Sequence, residues 1–218
     1  MKIVDVSIFE GRNIYSHKKC IRVDLDLEGY CETPSNKIEG FNNRLVKLLP
    51  ELKNHRCGID EERGFWKRLK EGTYLAHICE HSIIALQNMI GIEIAYGKAR
   101  EIEGDRYYII FQYEYKNTAI ECTQLAIDII NTLIKGIDFE LKPRVNSLKE
   151  TLLNEMLGPS TISICNEARK RGIPVLRLGE KSMYQLGYGK RGKIVEATIC
   201  NETSGTSIDI ACDKLLTK

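Results

Sequence analysis

Apolar and polar residues alternate over residues 2–9 (KIVDVSIF) and 20–27 (CIRVDLDL), a period of two that predicts two strands. The polar segment between them, GRNIYSHKK, carries Gly11 and Asn13 and reads as their loop. From residue 39 the period lengthens: Phe41, Leu45 and Leu48 or Leu49 fall at helical intervals in EGFNNRLVKLLP, which predicts a helix over 39–50 ended by Pro50. Residues 60–71 (DEERGFWKRLKE) offer a second short helix, and residues 74–91 a longer apolar one with Thr73 as its N-cap and Gly91 at its C-terminus. Tyr, Ile and Phe dominate RYYIIFQYEY at 106–115, which suits a strand, and an amphipathic helix over 118–135 is closed by Gly136.

Residues 144–156 carry one more helical pattern, after which GPST opens a new unit. Its predicted parts are a helix at 160–171, a strand at 175–178, turn residues, and a strand at 193–200 (KIVEATIC). That is half of a small α/β domain, with no room to complete a sheet of its own. The expected fold is therefore α+β: an N-terminal domain, 1–157, of antiparallel strands covered by helices, followed by a small incomplete α/β subdomain, 158–218.

Composition narrows the class without naming a function. With 218 residues, 43% of them apolar and 28% charged, the chain is ordinary globular material, so collagen, coiled coil and wholesale disorder are excluded. Thirty-two Lys and Arg against thirty Asp and Glu leave a net charge of +2, which offers no electrostatic case for nucleic acid or an anionic membrane as partner. No run approaches the roughly 18 apolar residues of a membrane span. Eight cysteines are scattered without a C-x-x-C and read as free thiols of a reducing compartment. Asp5 interrupts the one stretch near the start that could act as a signal core, so the expected location is cytoplasmic.

The residues with the clearest chemistry are His77-Ile78-Cys79-Glu80-His81, an H-x-x-E-H sequence inside the predicted helix 74–91. At about 100° per residue, positions 77, 80 and 81 share one face, so both imidazoles can reach a single zinc ion and the Glu80 carboxylate can act beside it as general base. This is the inverzincin order of ligands and base. A catalytic zinc takes a third protein ligand, and a glutamate from a later element supplies it in that class. The candidates here are Glu114, at the end of strand 106–115, and Glu121, in the first turn of helix 118–135, with Glu121 preferred. Cys79 points away from the pair and is assigned to packing. Gly187-Tyr188-Gly189-Lys190-Arg191-Gly192 matches G-x-G-x-x-G, but the next residues, KIVEATIC, read as a strand where a dinucleotide fingerprint needs a helix. No cysteine has a histidine context in the sequence that marks it as a nucleophile.

Taken together, PSNKIEGFNNRLVKLLPEL, HRCGIDEERGFWKRLKEGTYLAHICEH, GPSTISICNEARKRGIPVLRL, QLGYG and DIACDKLLTK resemble the cyanophycin synthetases, in order and over essentially all 218 positions. Members of that family join an N-terminal domain to an ATP-grasp and a Mur-ligase-like domain and add Asp and then Arg to a poly-aspartate polymer bearing arginine side groups. The resemblance reaches only the N-terminal domain, about 1–157, and the opening subdomain of the ATP-grasp module, about 158–218. It implies that ATP does not bind this stretch. The implied partners are cyanophycin (multi-L-arginyl-poly-L-aspartate) and the remainder of the synthetase or a second copy of the chain. Two roles are implied for the first domain: holding the growing polymer and, in members with H-x-x-E-H, zinc-dependent internal cleavage that makes primers. His77, Glu80 and His81 match that motif, whereas Lys116 and Asn117 stand where some relatives carry acidic residues, which leaves Glu114 and Glu121 both open as third ligand. Asp60, Glu61, Glu62 and Arg63, just ahead of the motif, are the expected readers of the polymer's arginine groups through charge-assisted bonds.

Overall fold

Alternation places Ile21, Val23 and Leu25 on one face of a strand and Tyr107, Ile109 and Phe111 on one face of another, and these two triplets lie directly opposite each other in a four-stranded antiparallel sheet. In the computed structural model, which describes residues 1–57, 61–179 and 182–213, the chain forms two compact units, Met1–Glu155 and Met156–Lys218. The sheet of the first unit comprises β1 (Lys2–Phe9), β2 (Cys20–Asp26), β3 (Gly97–Glu103) and β4 (Arg106–Gln112), in the order β1-β2-β4-β3. Strand β3 is not foreseen by alternation. Its residues Lys98, Arg100, Glu101 and Glu103 are charged because it is an exposed edge strand, where charge discourages pairing with other chains.

The inner face of the sheet is covered by helices. After α1 (Phe41–Leu48), a 3₁₀ turn at Pro50–Asn54 and α2 (Gly64–Glu71), helix α3 (Leu75–Met89) packs against β3 and β4 and against α4 (Lys116–Ile134). Every residue of α3 from Leu75 to Gln87 except His77 is buried. This explains its weak amphipathicity: a helix surrounded by sheet and helices has no wet face to mark with polar residues. Pro50 does not simply end α1 but opens the 3₁₀ turn, whose first position suits a residue without an N–H. Thr73 is not the N-cap of α3 either. Tyr74 takes that position without a side-chain bond, and the Thr73 hydroxyl turns to His77 instead.

On the outer face, Arg22 forms a bidentate pair with Asp24 (2.6 and 3.0 Å), bonds the Tyr15 hydroxyl (2.7 Å) and lies 4.4 Å from the centre of the Tyr108 ring. The Asp24 carboxylate is the main reason the Arg22 guanidinium is held even more firmly in its charged form than usual. Tyr96 donates to the Tyr15 carbonyl (2.8 Å), so the loop after β1 is tied across this face.

Helix α5 (Leu141–Glu155) runs against α4. Its last residue, Glu155, accepts hydrogen bonds from the backbone N–H groups of Asn117 (2.8 Å) and Thr118 (2.7 Å) and from the Thr118 hydroxyl (2.7 Å). A carboxylate 37 residues away in sequence thus serves the free N–H groups of the first turn of α4, where the helix dipole also favours negative charge.

The second unit holds α6 (Pro159–Lys170) and four short strands, β5 (Val175–Arg177), β6 (Met183–Leu186), β7 (Lys193–Glu196) and β8 (Ile199–Cys200), then α7 (Gly205–Cys212). The strands make a four-stranded antiparallel sheet in the order β5-β6-β7-β8, with Cys165, Tyr184 and Val195 as its small core. The expectation that this unit has no sheet of its own is corrected. Strand β5 lies where one is expected, β6 is too short for alternation to register, and the segment read as one strand over 193–200 folds back at Ala197, whose φ is +54°. The glycine-rich stretch forms a turn between β6 and β7, including a 3₁₀ segment Gly189–Arg191, with no helix after it.

Replacing Glu155 by Ala should destabilise the protein by about 0.5–2 kcal/mol, the usual effect of losing a helix cap. Chemical denaturation of the two forms measures it, with an unchanged slope expected.

Candidate metal centre

Three elements converge on the end of α3. The segment after the 3₁₀ turn is pinned because the His55 N–H donates to the Leu52 carbonyl (3.4 Å) and the His55 carbonyl accepts from the Phe65 N–H (3.2 Å). Cys57 then pairs with Glu61 in an isolated antiparallel bridge, and Gly64 begins α2 after Arg63, whose φ is +59°. Helix α2 presents Phe65, fully buried, to the histidines: its ring stacks on His81 with centroids 4.0 Å apart and meets His77 edge-on at 5.4 Å. His77 and His81 are themselves edge-to-face at 4.8 Å. The aromatic wall holds both imidazoles in place.

Each ring nitrogen with an identified partner has a definite one. Thr73 Oγ1 lies 2.9 Å from His77 Nδ1, and Cys57 Sγ lies 3.3 Å from His77 Nε2. His81 Nδ1 lies 3.1 Å from His55 Nδ1. Ligand atoms of Cys57, His77 and His81 all fall within 4.8 Å of one another, and among the described residues this is the one such group of three or more metal-binding side chains. One thiol and two imidazoles are suitable donors for a transition metal of the zinc type. Burial suits the same role, since it holds the His55 and His77 imidazoles in the neutral form, with pKa values down to about 4, Arg68 adding to the effect at His77. For His81 the value falls to about 2, through burial first and then the neighbouring His77, His55 and Arg68.

Glu80, the third member of the motif, is buried and directed to a different neighbour. A Cβ placed on Gly97 of β3 would lie 2.5 Å from its Oε1, so the missing side chain of Gly97 is what makes room for the carboxyl. Burial raises the Glu80 pKa to about 8, with Arg100 pulling the other way.

The structure therefore brings His77 and His81 together as the motif requires and adds Cys57, but it does not bring Glu121 or Glu114 to them. Glu121 accepts from Ser147 Oγ (2.9 Å) and Thr151 Oγ1 (2.5 Å), clipping α4 to α5, because its position on α4 faces α5. Glu114 pairs with Lys19 at 3.7 Å, at the far end of β4. The Cys57–His77 contact is a cysteine–histidine context that the sequence alone does not mark. Motif and periodicity do not single out Cys57, His55, Thr73, Phe65 or Gly97 for the site. One signal was available: His55-Arg56-Cys57 places two ligand residue types two apart, ahead of the motif. Of the acidic cluster, Asp60 lies outside the described residues. Glu61 pairs with Lys67 at 3.5 Å, Glu62 with Arg56 at 3.9 Å, and Arg63 supplies the backbone turn into α2. All eight cysteines are free, and no helix among the described residues is long and apolar enough to cross a membrane.

Comparison with known sequences gives the family. A family profile described as the cyanophycin synthase-like N-terminal domain matches residues 22–135, and the chain belongs to that family. Curated relatives include the cyanophycin synthetases of Geminocystis herdmanii (39% identical over 225 residues), Crocosphaera subtropica (35% over 224) and a Synechocystis species (35% over 224). Each alignment covers all of this chain and 26% of the relative, so the chain spans about a quarter of the length of the proteins it matches.

The raised Glu80 pKa sets a pH dependence in the metal-free protein. Unfolded, the carboxyl releases its proton near 4.5; folded, it keeps it to about 8, so its favourable contribution is complete below 4.5 and is lost as pH rises through 8. The depressed histidines act in the opposite sense, with stability lost as pH falls from 6.5 through about 4, and they are common to parent and variant. The stability of Glu80→Gln relative to the parent should therefore rise steadily between these two limits of the Glu80 titration, read by denaturant melts across the pH range.

Proposed function

We propose that the first unit is a zinc-dependent hydrolase that cleaves the Asp-Arg polymer internally, in the N-terminal portion of a cyanophycin synthetase. The single observation that carries the reading is the group Cys57, His77 and His81, with its ligand atoms within 4.8 Å of one another and its two histidines on the same helix as the buried Glu80. Three protein donors leave a fourth position of a tetrahedral ion for a reactant, which is the composition of catalytic zinc sites.

In this reading Cys57, His77 and His81 hold the ion, and Cys57 takes the place expected for Glu121. Zinc, when bound, supplies Lewis acidity to the scissile carbonyl and to the attacking water. Glu80 accepts the water's proton on a carboxylate oxygen and returns it to the departing amine. A carboxyl held in a poorly solvated pocket by Gly97 is well matched to that exchange, since burial brings its affinity for the proton close to neutral pH. Phe65 and the surrounding apolar core keep bulk water from the imidazoles. Glu62, whose side chain is 89% exposed, and its neighbours Asp60 and Glu61 remain the proposed readers of the polymer's guanidinium groups, with Arg63 beside them for its carboxylates. The second unit corresponds on this reading to the opening subdomain of an ATP-grasp module, which binds no ATP alone, within a cytoplasmic synthetase whose further partner is the rest of that chain or a second copy.

The ligand assignment is tested by metal analysis. Cys57→Ala, His77→Ala and His81→Ala should each lose zinc at neutral pH, while Glu121→Ala keeps one zinc per chain and only becomes less stable as the α4–α5 clip is lost. Zinc lost from Glu121→Ala and kept by Cys57→Ala would reverse the assignment.

Chemistry is tested separately. Glu80→Gln preserves volume and should hold zinc, yet cleave the polymer roughly 10²- to 10⁴-fold more slowly than the parent. Gly97→Ala, which leaves the carboxyl in place chemically but displaces it, should also retain zinc and slow cleavage. A zinc-loaded parent that leaves polymer length unchanged would sink the hydrolase reading in favour of a module that retains polymer without cutting it.

A further inference from the structure

Two neutral imidazole nitrogens 3.1 Å apart, as in His55 Nδ1 and His81 Nδ1, form a hydrogen bond only when one of them carries the proton and the other does not. With His81 Nδ1 committed to His55, the nitrogen that His81 has left to offer an ion is Nε2. A ligating nitrogen must be unprotonated, so a neutral His81 bound through Nε2 carries its proton on Nδ1 and donates it to His55 Nδ1. His77 repeats the arrangement with another partner. Its Nε2 faces Cys57 Sγ at 3.3 Å, and its Nδ1 can donate to Thr73 Oγ1 at 2.9 Å. Both histidines are thereby turned the same way.

Resting on the zinc reading above, we infer that His55 is a positioning residue of the metal centre: it orients His81 and selects the tautomer that presents Nε2 to the ion, without being a ligand itself. Three further features support this. His55 does not belong to the set of donor atoms within 4.8 Å of one another, which contains Cys57, His77 and His81. Its backbone is held at both N–H and C=O, by Leu52 and Phe65, so the ring is delivered to a defined place. Its Nε2 is buried and has no hydrogen-bond partner among the described residues, so its evident polar engagement is with His81. A ring that had only a packing role would be better served by an apolar residue, because an unpartnered buried nitrogen costs free energy.

Thr73 and His55 differ in what they demand. A hydroxyl rotates and serves either tautomer of His77, whereas the His55 ring is gripped by the backbone and tilted against Phe65 and His81. The orientation of His81 therefore depends on His55 more than that of His77 depends on Thr73.

The test is zinc affinity of the whole chain, measured by competition with a chromophoric chelator at neutral pH, together with the cobalt(II) absorption spectrum. His55→Phe, which keeps a ring but no acceptor, should weaken zinc about 10- to 100-fold, the usual effect of removing such a partner. His55→Asn, whose Oδ1 can stand where Nδ1 stood, should recover most of the loss, a rescue that a packing role would not produce. The cobalt spectra of both variants should keep the thiolate charge-transfer band and ligand-field pattern of the parent, since the ligands are unchanged. If the phenyl ring prevents folding, His55→Leu takes its place with the same expectation. Unchanged affinity in the variant without an acceptor overturns the inference, as does failure of His55→Asn to recover binding. An altered ligand-field spectrum would make His55 a ligand, which also overturns it. Failure of the parent to hold one zinc per chain is read before any variant is made, and it removes the zinc reading itself together with this inference.

Discussion

Helix α3 is enclosed by sheet and helices along almost its whole length, and an enclosed helix cannot carry polar side chains unless each is partnered or kept uncharged. The site is a consequence of that constraint. His77 and His81 enter the interior as neutral imidazoles, Glu80 enters with a strong hold on its proton, and each acquires a neighbour that makes burial tolerable: Thr73 and Cys57 for His77, His55 and the face of Phe65 for His81, the bare backbone of Gly97 for Glu80. The same dryness that makes these groups expensive to bury strengthens any charge interaction that develops among them.

The surrounding architecture keeps this strip of helix in register. The triplets Ile21, Val23, Leu25 and Tyr107, Ile109, Phe111 form the floor on which α3 lies, and β3 brings Gly97 opposite Phe111, at the point where the Glu80 carboxyl needs room. On the far side, α4 is fastened to α5 by Glu155 at its N-terminus and by Glu121 one turn later. Glu121 thus holds α4 against α5, while α4 packs on α3.

Much of the first unit is legible in the chain. Strands β1, β2 and β4 and helices α1 to α5 are recovered from periodicity because each has a buried and a wet side, or is long and apolar enough to be recognised without one. The edge strand β3 is not legible, since an exposed strand has no reason to alternate, and neither are the four-residue β6 and the turn that divides 193–200 into β7 and β8, whereas β5 lies where a strand is expected. The motif His77, Glu80, His81 is visible because helical spacing alone brings 77, 80 and 81 to neighbouring positions. Cys57 and His55 are invisible in the same terms: their proximity to the motif depends on a 3₁₀ turn, an isolated bridge and the stacking of Phe65, none of which has a period.

Local features follow from the residues alone: the helix that presents two imidazoles one turn apart with a carboxylate beside them, the strands whose alternation builds the sheet, and the family to which those residues belong. Only tertiary structure brings Cys57 to the two histidines, sets the neighbours of His77 and His81 and makes the space for Glu80. Cys57 lies 20 residues from His77 and His55 lies 26 from His81, and in these contacts a thiol or an imidazole is selected by distance and by the exclusion of water. Sequence spacing carries one coordinate along the chain, and a cluster of side chains assembled across three segments needs all three dimensions to be specified.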